Sequence, residues 1–166
     1  MLSSKLFLNL PSLITLSGSI THRNFTVNTD SRNFKEGEAF VALHGESFDG
    51  FNYLEQVLKA GASVVIFTNK DGRKEVIEKM ISSYPDVLFA ETTDSLKFLQ
   101  ELASLYIQNW RQAKASRKII GITGSNGKTT HKEMIFSILN TLFPEKVLAT
   151  KGNLNNQIGV PLTLLR

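Results

Sequence analysis

An apolar run, a glycine-rich turn, and then a lysine and two threonines at a helix start follow one another in Ile119-Ile120-Gly121-Ile122-Thr123-Gly124-Ser125-Asn126-Gly127-Lys128-Thr129-Thr130. Lys118 to Thr123 reads as a buried strand. Lys128 to Leu142 repeats apolar residues at helical spacing through Met134, Ile135, Ile138, Leu139 and Leu142. Strand, tight turn and helix in that order predict an α/β unit, and the residues of the turn predict what it holds.

Phosphates need converging donors and positive charge. Small residues at Gly124, Ser125 and Gly127 let successive backbone N–H groups approach one cluster of anionic oxygens, and the helix N-terminus adds its partial positive charge. Lys128 is placed to neutralise β- and γ-phosphate charge, and the Thr129 hydroxyl to complete the shell of a Mg²⁺ that keeps several waters. Thr130 bonds a neighbouring phosphate or caps the helix. The expected ATP contacts are therefore Gly124, Ser125, Asn126, Gly127, Lys128, Thr129 and Thr130, with Lys128 and Thr129 carrying the chemistry and Thr129 the metal. The spacing is compressed, because Ile122 stands where the usual phosphate loop has its first glycine. The alternative is a plain strand-turn-helix whose glycines only make the turn.

Ahead of this run the chain alternates short strands and helices. Ala39 to Leu43, Ser63 to Thr68 and Val87 to Ala90 read as strands, Tyr53 to Ala60 and Gly72 to Ser83 as helices. Met1 to Leu16, with Pro11 inside it, suits a strand or short helix better than a secretion signal. Asp94 to Trp110 is the clearest helix, capped by Thr93-Asp94, with Leu99, Leu102, Ala103, Tyr106 and Trp110 on one stripe. Trp110 is expected to anchor in the core. The polar segment Gln112 to Arg117 reads as a linker. The organisation expected is thus a small α/β domain over 1–111, a linker over 112–117, and the truncated start of a P-loop α/β ATPase domain over 118–166. After the phosphate loop and its helix come a strand at Lys146 to Thr150, a polar loop and the beginning of another helix.

Two further segments carry binding chemistry. Thr150 to Pro161 places Asn153, Asn155 and Asn156 around Gly152 and Gly159, at the C-terminal strand edge where α/β sheets bind ligands. Its amides suit a sugar hydroxyl, a phosphate or a metal-bound water, and equally a turn. In the first domain Asp30-Ser31-Arg32 precedes the strand at Ala39, which leads to Gly45-Glu46-Ser47-Phe48-Asp49-Gly50. Hydroxyl, carboxylate and guanidinium groups flank one strand there, a set able to hold a ribose, a uracil edge and a diphosphate. A capped turn with a surface ion pair has the same composition.

Composition excludes several other classes. The chain has no cysteine, so disulfides and thiolate zinc sites are ruled out, and its three histidines, His22, His44 and His131, show no ligand spacing. The net charge of +4 is mild and scattered, which does not predict nucleic-acid binding. No stretch approaches the roughly 20 apolar residues of a membrane span. A cytoplasmic placement is expected, where ATP also is.

Taken together, these residues resemble the Mur ligases of peptidoglycan synthesis. The matching elements are Thr29-Asp30-Ser31-Arg32, the Gly37 to Leu43 strand, Gly45 to Gly50, Gly61-Ala62, Thr123 to Thr130 with Lys132-Glu133-Met134, and Thr150 to Leu165. The last is most similar to the branch that adds D-alanyl-D-alanine, as against the sister that adds the third amino acid. The resemblance implies that ATP phosphorylates the terminal carboxylate of a UDP-N-acetylmuramoyl-tripeptide, and that the amine of D-alanyl-D-alanine attacks the acyl phosphate. It places the UDP end near Ser31, Arg32, Gly45 and Asp49, and the reacting end nearer Asn153, Asn155 and Asn156. The family commonly has Asp-Gly-His where this chain has Asp49-Gly50-Phe51, so any histidine contact there is lost. Family members are also much longer, which implies that this chain alone does not complete the reaction and that incomplete sheet edges are open to self-association. Two other readings stay open: a non-catalytic UDP-sugar or nucleotide-binding module, and an amide ligase of another substrate sharing the compressed loop.

Overall fold

The computed structural model describes residues 6–7, 10–19, 25–70, 72–152 and 154–166. Five strands form one sheet: β1 (Leu13–Ser17), β2 (Val27–Asn28), β3 (Ala39–Val41), β4 (Val64–Thr68) and β5 (Leu88–Thr92), in the order β1-β5-β4-β3-β2. β2 to β5 run parallel, and β1 closes one edge antiparallel to β5. The parallel neighbours are joined through α1 (Leu54–Lys59) between β3 and β4 and α2 (Lys74–Ser83) between β4 and β5. Such crossovers bury both faces of the sheet, so its strands read as continuous apolar runs.

Strand alternation sorts those runs into two cores. Ala39, Val41, Val64, Ile66, Leu88 and Ala90 face one side, against Phe98, Leu99, Leu102 and Ala103 of α3 (Ser95–Gln112). Phe40, Ala42, Val65, Phe67 and Phe89 face the other, against Leu54, Val57 and Leu58 of α1 and Ile77 of α2. Each fully buried side chain of this size contributes about 1.5–3 kcal/mol over its exposed state. Asp94 caps α3 as expected, its carboxylate accepting the N–H groups of Leu96 at 2.8 Å and Lys97 at 3.0 Å. The segment that leads into β1 is tied down by Glu101, whose Oε2 accepts the Ser12 hydroxyl at 2.6 Å and its N–H at 3.0 Å.

Trp110 departs from its expected place. The core ends a turn earlier, and Trp110 lies half-buried beneath Arg117, whose guanidinium sits 4.9 Å from the ring centre and donates to the Trp110 carbonyl at 2.6 Å. Periodicity put Trp110 on the right face of a helix that outruns the sheet beneath it. Arg117, expected on a solvated linker face, is the residue that covers it.

The second part of the chain is built differently. α4 spans Lys128–Leu142, as the apolar spacing predicts, but buries no residue. Neither Lys118 to Thr123 nor Lys146 to Thr150 forms a strand, and Ile119, Ile120 and Leu148 are 48, 56 and 56% exposed. A parallel strand exists only through neighbours on its flanks, and among the described residues these segments have no pairing partner. The last helix, α5 (Gly159–Leu164), returns to the first core: it lies against α3, Leu165 is buried in the Phe98 cluster, and Ile158, Leu162 and Leu164 pack beside it. Gln100 of α3 donates to the Gln157 carbonyl at 3.2 Å, fixing the loop that leads into α5.

Candidate functional site

β2, β3 and β4 are parallel, so the segments that follow them emerge at one edge of the sheet. Thr29 to Asn33 follows β2, Ala42 to Tyr53 follows β3, and Asn69 to Arg73 follows β4. This is the carboxyl edge at which open parallel sheets take their ligands. A cleft of about 380 Å³ lies there, lined by Thr29, Asp30, Ser31, Arg32, Phe40, Phe48 and Tyr53. A depression of the same volume along α2, lined by Glu75, Glu78, Lys79, Ser82 and Ser83, lies on one helix face and brings no second element to bear.

Local chemistry shapes each wall of the cleft. Asp30 accepts the Arg32 N–H at 3.0 Å and so starts the 3-10 turn Ser31–Asn33. Its two oxygens also take Arg32 Nε at 2.8 Å and Nη2 at 2.7 Å, a bidentate pair. The side-chain hydrogen bond from Arg32, with the Arg32 backbone N–H, holds the Asp30 carboxyl at about 2, below the usual carboxylate range. Arg32 is 84% exposed on its side chain, so this pair fixes the guanidinium's direction more than it stabilises the fold. Gln56 of α1 donates to the Ser31 carbonyl at 3.2 Å and ties the turn to the helix.

The opposite wall is the loop after β3. The Gly45 N–H donates to the Phe48 carbonyl at 2.8 Å and the Gly50 N–H to the Leu43 carbonyl at 2.7 Å, closing a tight hairpin around the His44–Asp49 bridge. A Cβ on Gly50 would come within 2.8 Å of Ala42 Cα, Leu43 N and Leu43 O, so only glycine permits this approach; Gly45 has open space around it. Phe48 stacks on Tyr53 at 5.6 Å between ring centres and 18° between planes, giving the cleft an aromatic rim. Asp49 does not offer its carboxylate to the cleft. Oδ1 accepts the Phe51 N–H at 3.0 Å, and Oδ2 is bound by the Arg73 guanidinium. Burial pulls the Asp49 carboxyl upward, but the hydrogen bonds from Arg73 and Phe51 and the nearby positive charges outweigh it, and the net shift is downward.

At the start of α4, Gly124 at φ 146° and Gly127 at φ 75° hold backbone conformations that other residues adopt only under strain. Gly127 is the N-cap, and it makes no side-chain cap hydrogen bond to the first turn of the 15-residue helix. Lys128 folds its ammonium over the turn, onto the carbonyls of Gly124 and, at 3.3 Å, Ser125. Ser125, Asn126, Thr129 and Thr130 are exposed around it. Lys132 reaches from the next turn to the Thr150 carbonyl at 2.7 Å and links α4 to the segment before the asparagine loop. Free N–H groups, left-handed glycines and one ammonium fit the phosphates of a nucleotide. Among the described residues no cluster of three His, Asp or Glu is gathered.

In the asparagine loop, Asn153 lies outside the described residues. Asn156 caps α5, its side-chain oxygen accepting the N–H groups of Ile158 at 3.1 Å and Gly159 at 2.7 Å, while Asn155 is exposed. A Cβ on Gly159 would meet Leu154 Cα at 2.5 Å, so the loop folds tightly back on the helix. Phe48 and Tyr53 line the cleft without having been singled out by sequence, and Gln56 and Arg73 brace its walls from outside it. An aromatic within the Gly45 to Gly50 run is a readable signal for Phe48; Arg73 is brought in from beyond β4 by the fold alone.

Comparison with known proteins identifies relatives of this chain. Residues 26–106 match the Mur ligase family, catalytic domain, and residues 122–166 the Mur ligase middle domain. The UDP-N-acetylmuramoyl-tripeptide--D-alanyl-D-alanine ligase of Bacillus subtilis is 37% identical over 142 residues, 84% of this chain and 27% of that protein. A UDP-N-acetylmuramoyl-L-alanyl-D-glutamate--2,6-diaminopimelate ligase of Clostridium tetani is 38% identical over 124 residues, 75% of this chain and 24% of that protein. The crystal structure of MurF ligase from Thermotoga maritima in complex with ADP superposes with a TM-score of 0.64 at 30% identity, over 84% of this chain and 28% of that one. The chain thus spans under a third of the length of the relatives it matches. No described helix is long and apolar enough to cross a membrane.

Proposed function

The chain belongs to the Mur ligase family, and from that premise we propose that it supplies two sites of a MurF-type, ATP-dependent amide ligase of peptidoglycan precursor synthesis. The cleft at the carboxyl edge of the sheet takes the UDP end of UDP-N-acetylmuramoyl-tripeptide. The turn before α4 takes the phosphates of ATP. The observation that carries the proposal is the start of α4: an uncapped helix N-terminus, two glycines at positive φ and a lysine already folded over them.

In the cleft, the Phe48–Tyr53 rim offers a flat apolar surface for the uracil ring, and Arg32, held by Asp30, keeps further N–H donors for the diphosphate. Ser31 lines the cleft with a hydroxyl, and Gly45, in the loop that carries Phe48, has open space around its backbone. At the second site, Lys128 exchanges its carbonyl partners for phosphate oxygens, and the α4 N–H groups of Lys128, Thr129 and Thr130 with the Gly124 to Gly127 backbone fix the phosphate chain. Thr129 would hold Mg²⁺ through its hydroxyl, and the ion would supply neutralisation of phosphate charge. The terminal carboxylate of the tripeptide attacks the γ-phosphorus and ADP leaves. The amine of D-alanyl-D-alanine then attacks the acyl carbon, loses a proton and expels inorganic phosphate. Positioning and charge neutralisation dominate the first of these steps.

Asn155 and Asn153 belong to the reacting end in this proposal, with Asn156 shaping the loop through its cap on α5. The reaction's nucleotides place the protein in the cytoplasm, and no nucleic acid takes part. Self-association through incomplete sheet edges is a further expectation, read by sedimentation at two concentrations.

The test is calorimetric titration of the chain and of Lys128→Ala with Mg-ATP. The wild type binds one equivalent, and the variant loses at least tenfold in affinity with its circular dichroism unchanged, since Lys128 buries nothing the fold needs. Equal binding by both proteins removes the phosphate-loop assignment. Binding of UDP without any binding of ATP makes the chain a sugar-nucleotide module instead.

A further inference from the structure

One charged side chain at the carboxyl edge is used by neither site. Arg73 precedes α2 and crosses to the loop after β3, where its guanidinium bonds Asp49 Oδ2 and sits 4.3 Å above the centre of the Phe51 ring. Phe51 in turn meets Phe67 of β4 edge-on at 6.1 Å, so the guanidinium is held between a carboxylate and an aromatic face anchored in the core. Arg73 is 23% exposed and Asp49 19%, which takes the pair out of the class of screened surface ion pairs.

The position of Asp49 gives this brace its consequence. Asp49 directly follows Phe48, and its Oδ1 caps the 3-10 turn Gly50–Tyr53 that ends in Tyr53. Both rings of the aromatic rim therefore hang on one carboxylate, one ring before it and the other at the end of the turn it starts. That carboxylate's other contacts are weaker: His44 Nδ1 lies 3.8 Å from Oδ2, while its Nε2 is engaged with the Lys70 ammonium at 2.6 Å. Arg73, from the segment after β4, is the one group outside this loop that bonds it among the described residues.

We propose that Arg73 is a positioning residue for nucleotide binding in the cleft, bonding Asp49 and covering Phe51 so that Phe48 and Tyr53 stay stacked at its rim. The role rests on the reading of the cleft as the UDP end. Arg73 touches no ligand. It acts through Asp49, and the planar fork matters as well as the charge, because one face lies on Phe51 while an edge bonds the carboxylate.

The test pairs hydrogen exchange with UDP titration on the chain, on Arg73→Met and on Arg73→Lys. Arg73→Met is expected to speed exchange at the Gly45 and Gly50 amides, which close the hairpin, while β4 amides keep their protection. It weakens UDP binding roughly tenfold, the size of effect expected for a coupled, partly buried pair. Arg73→Lys, which keeps the charge and loses the flat stack, falls between the two. Adding Asp49→Asn to Arg73→Met costs little more than Arg73→Met alone. Unchanged exchange and unchanged UDP affinity in Arg73→Met overturn the proposal, and so does faster exchange spread evenly over β4, which marks a general loss of stability. If the wild type takes no UDP, the reading of the cleft fails, and the exchange comparison alone decides whether Arg73 braces the loop. If Arg73→Met does not fold, Arg73→Lys decides by the same two readouts.

Discussion

Replacing Gly50 by alanine adds a single methyl group, yet the structure gives it a definite cost. The new Cβ falls 2.8 Å from three backbone atoms, Ala42 Cα, Leu43 N and Leu43 O, which cannot move aside as a side chain could. Relief requires the hairpin to open, lengthening the 2.7 Å hydrogen bond from the Gly50 N–H to the Leu43 carbonyl. Overpacking of this kind costs about 1–3 kcal/mol, and a weakened hydrogen bond about 1 kcal/mol more. A loss of roughly 3 kcal/mol in a chain this size lowers the thermal midpoint by about 6–12 °C. Gly45 in the same loop is the control, because a Cβ there meets nothing within 4 Å. Gly45→Ala is expected to stay within about 0.5 kcal/mol of the parent. Urea denaturation followed by circular dichroism compares the two, and UDP titration shows whether the displaced rim weakens binding. Equal midpoints for Gly50→Ala and Gly45→Ala would refute the close-approach argument.

Other perturbations test separate parts of the account. Asp94→Ala removes the acceptor of two N–H groups at the start of α3 and should destabilise the chain by about 1 kcal/mol, measured by urea midpoint. Leu102→Ala, at a fully buried position on the same helix, should cost about 2–5 kcal/mol; a loss below 1 would mean that α3 does not pack on the sheet. The Asp30–Arg32 pair makes a prediction about acid. Because the folded carboxyl is held at about 2, below its ordinary value of 3.8, any stability the pair contributes is fully present above pH 4 and is lost as pH falls toward 2. Asp30→Asn should therefore flatten acid unfolding between pH 4 and 2 and leave stability at pH 7 little changed, because the pair is open to solvent.

The elements legible in sequence are those made by local forces. α4 runs from Lys128 to Leu142 as its apolar spacing predicts, and Asp94 caps α3, because periodicity and capping act within a few residues. The strands expected beside the phosphate loop do not form. Lys118 to Thr123 has strand composition, but strands are made by partners, and here Ile119 and Ile120 remain exposed. Trp110 shows the limit of a helical stripe, which gives the face of a residue without saying how far the core beneath extends. Asn156 shows the limit of composition, since an amide able to bind a sugar hydroxyl is equally able to cap α5, and its oxygen does the latter. Arg73 lies 24 residues from its partner Asp49, and only the parallel pairing of β3 with β4 brings the two together.

The central claim is that one chain carries two separate nucleotide sites, a UDP-end cleft on the five-stranded sheet and an ATP-phosphate turn at α4. Its most direct test is calorimetric titration of the chain with UDP-N-acetylmuramoyl-tripeptide, alone and then with Mg-ATP saturating. Binding at one equivalent in both titrations is the predicted result. Displacement of the sugar nucleotide by Mg-ATP, or no binding in either titration, would contradict the claim.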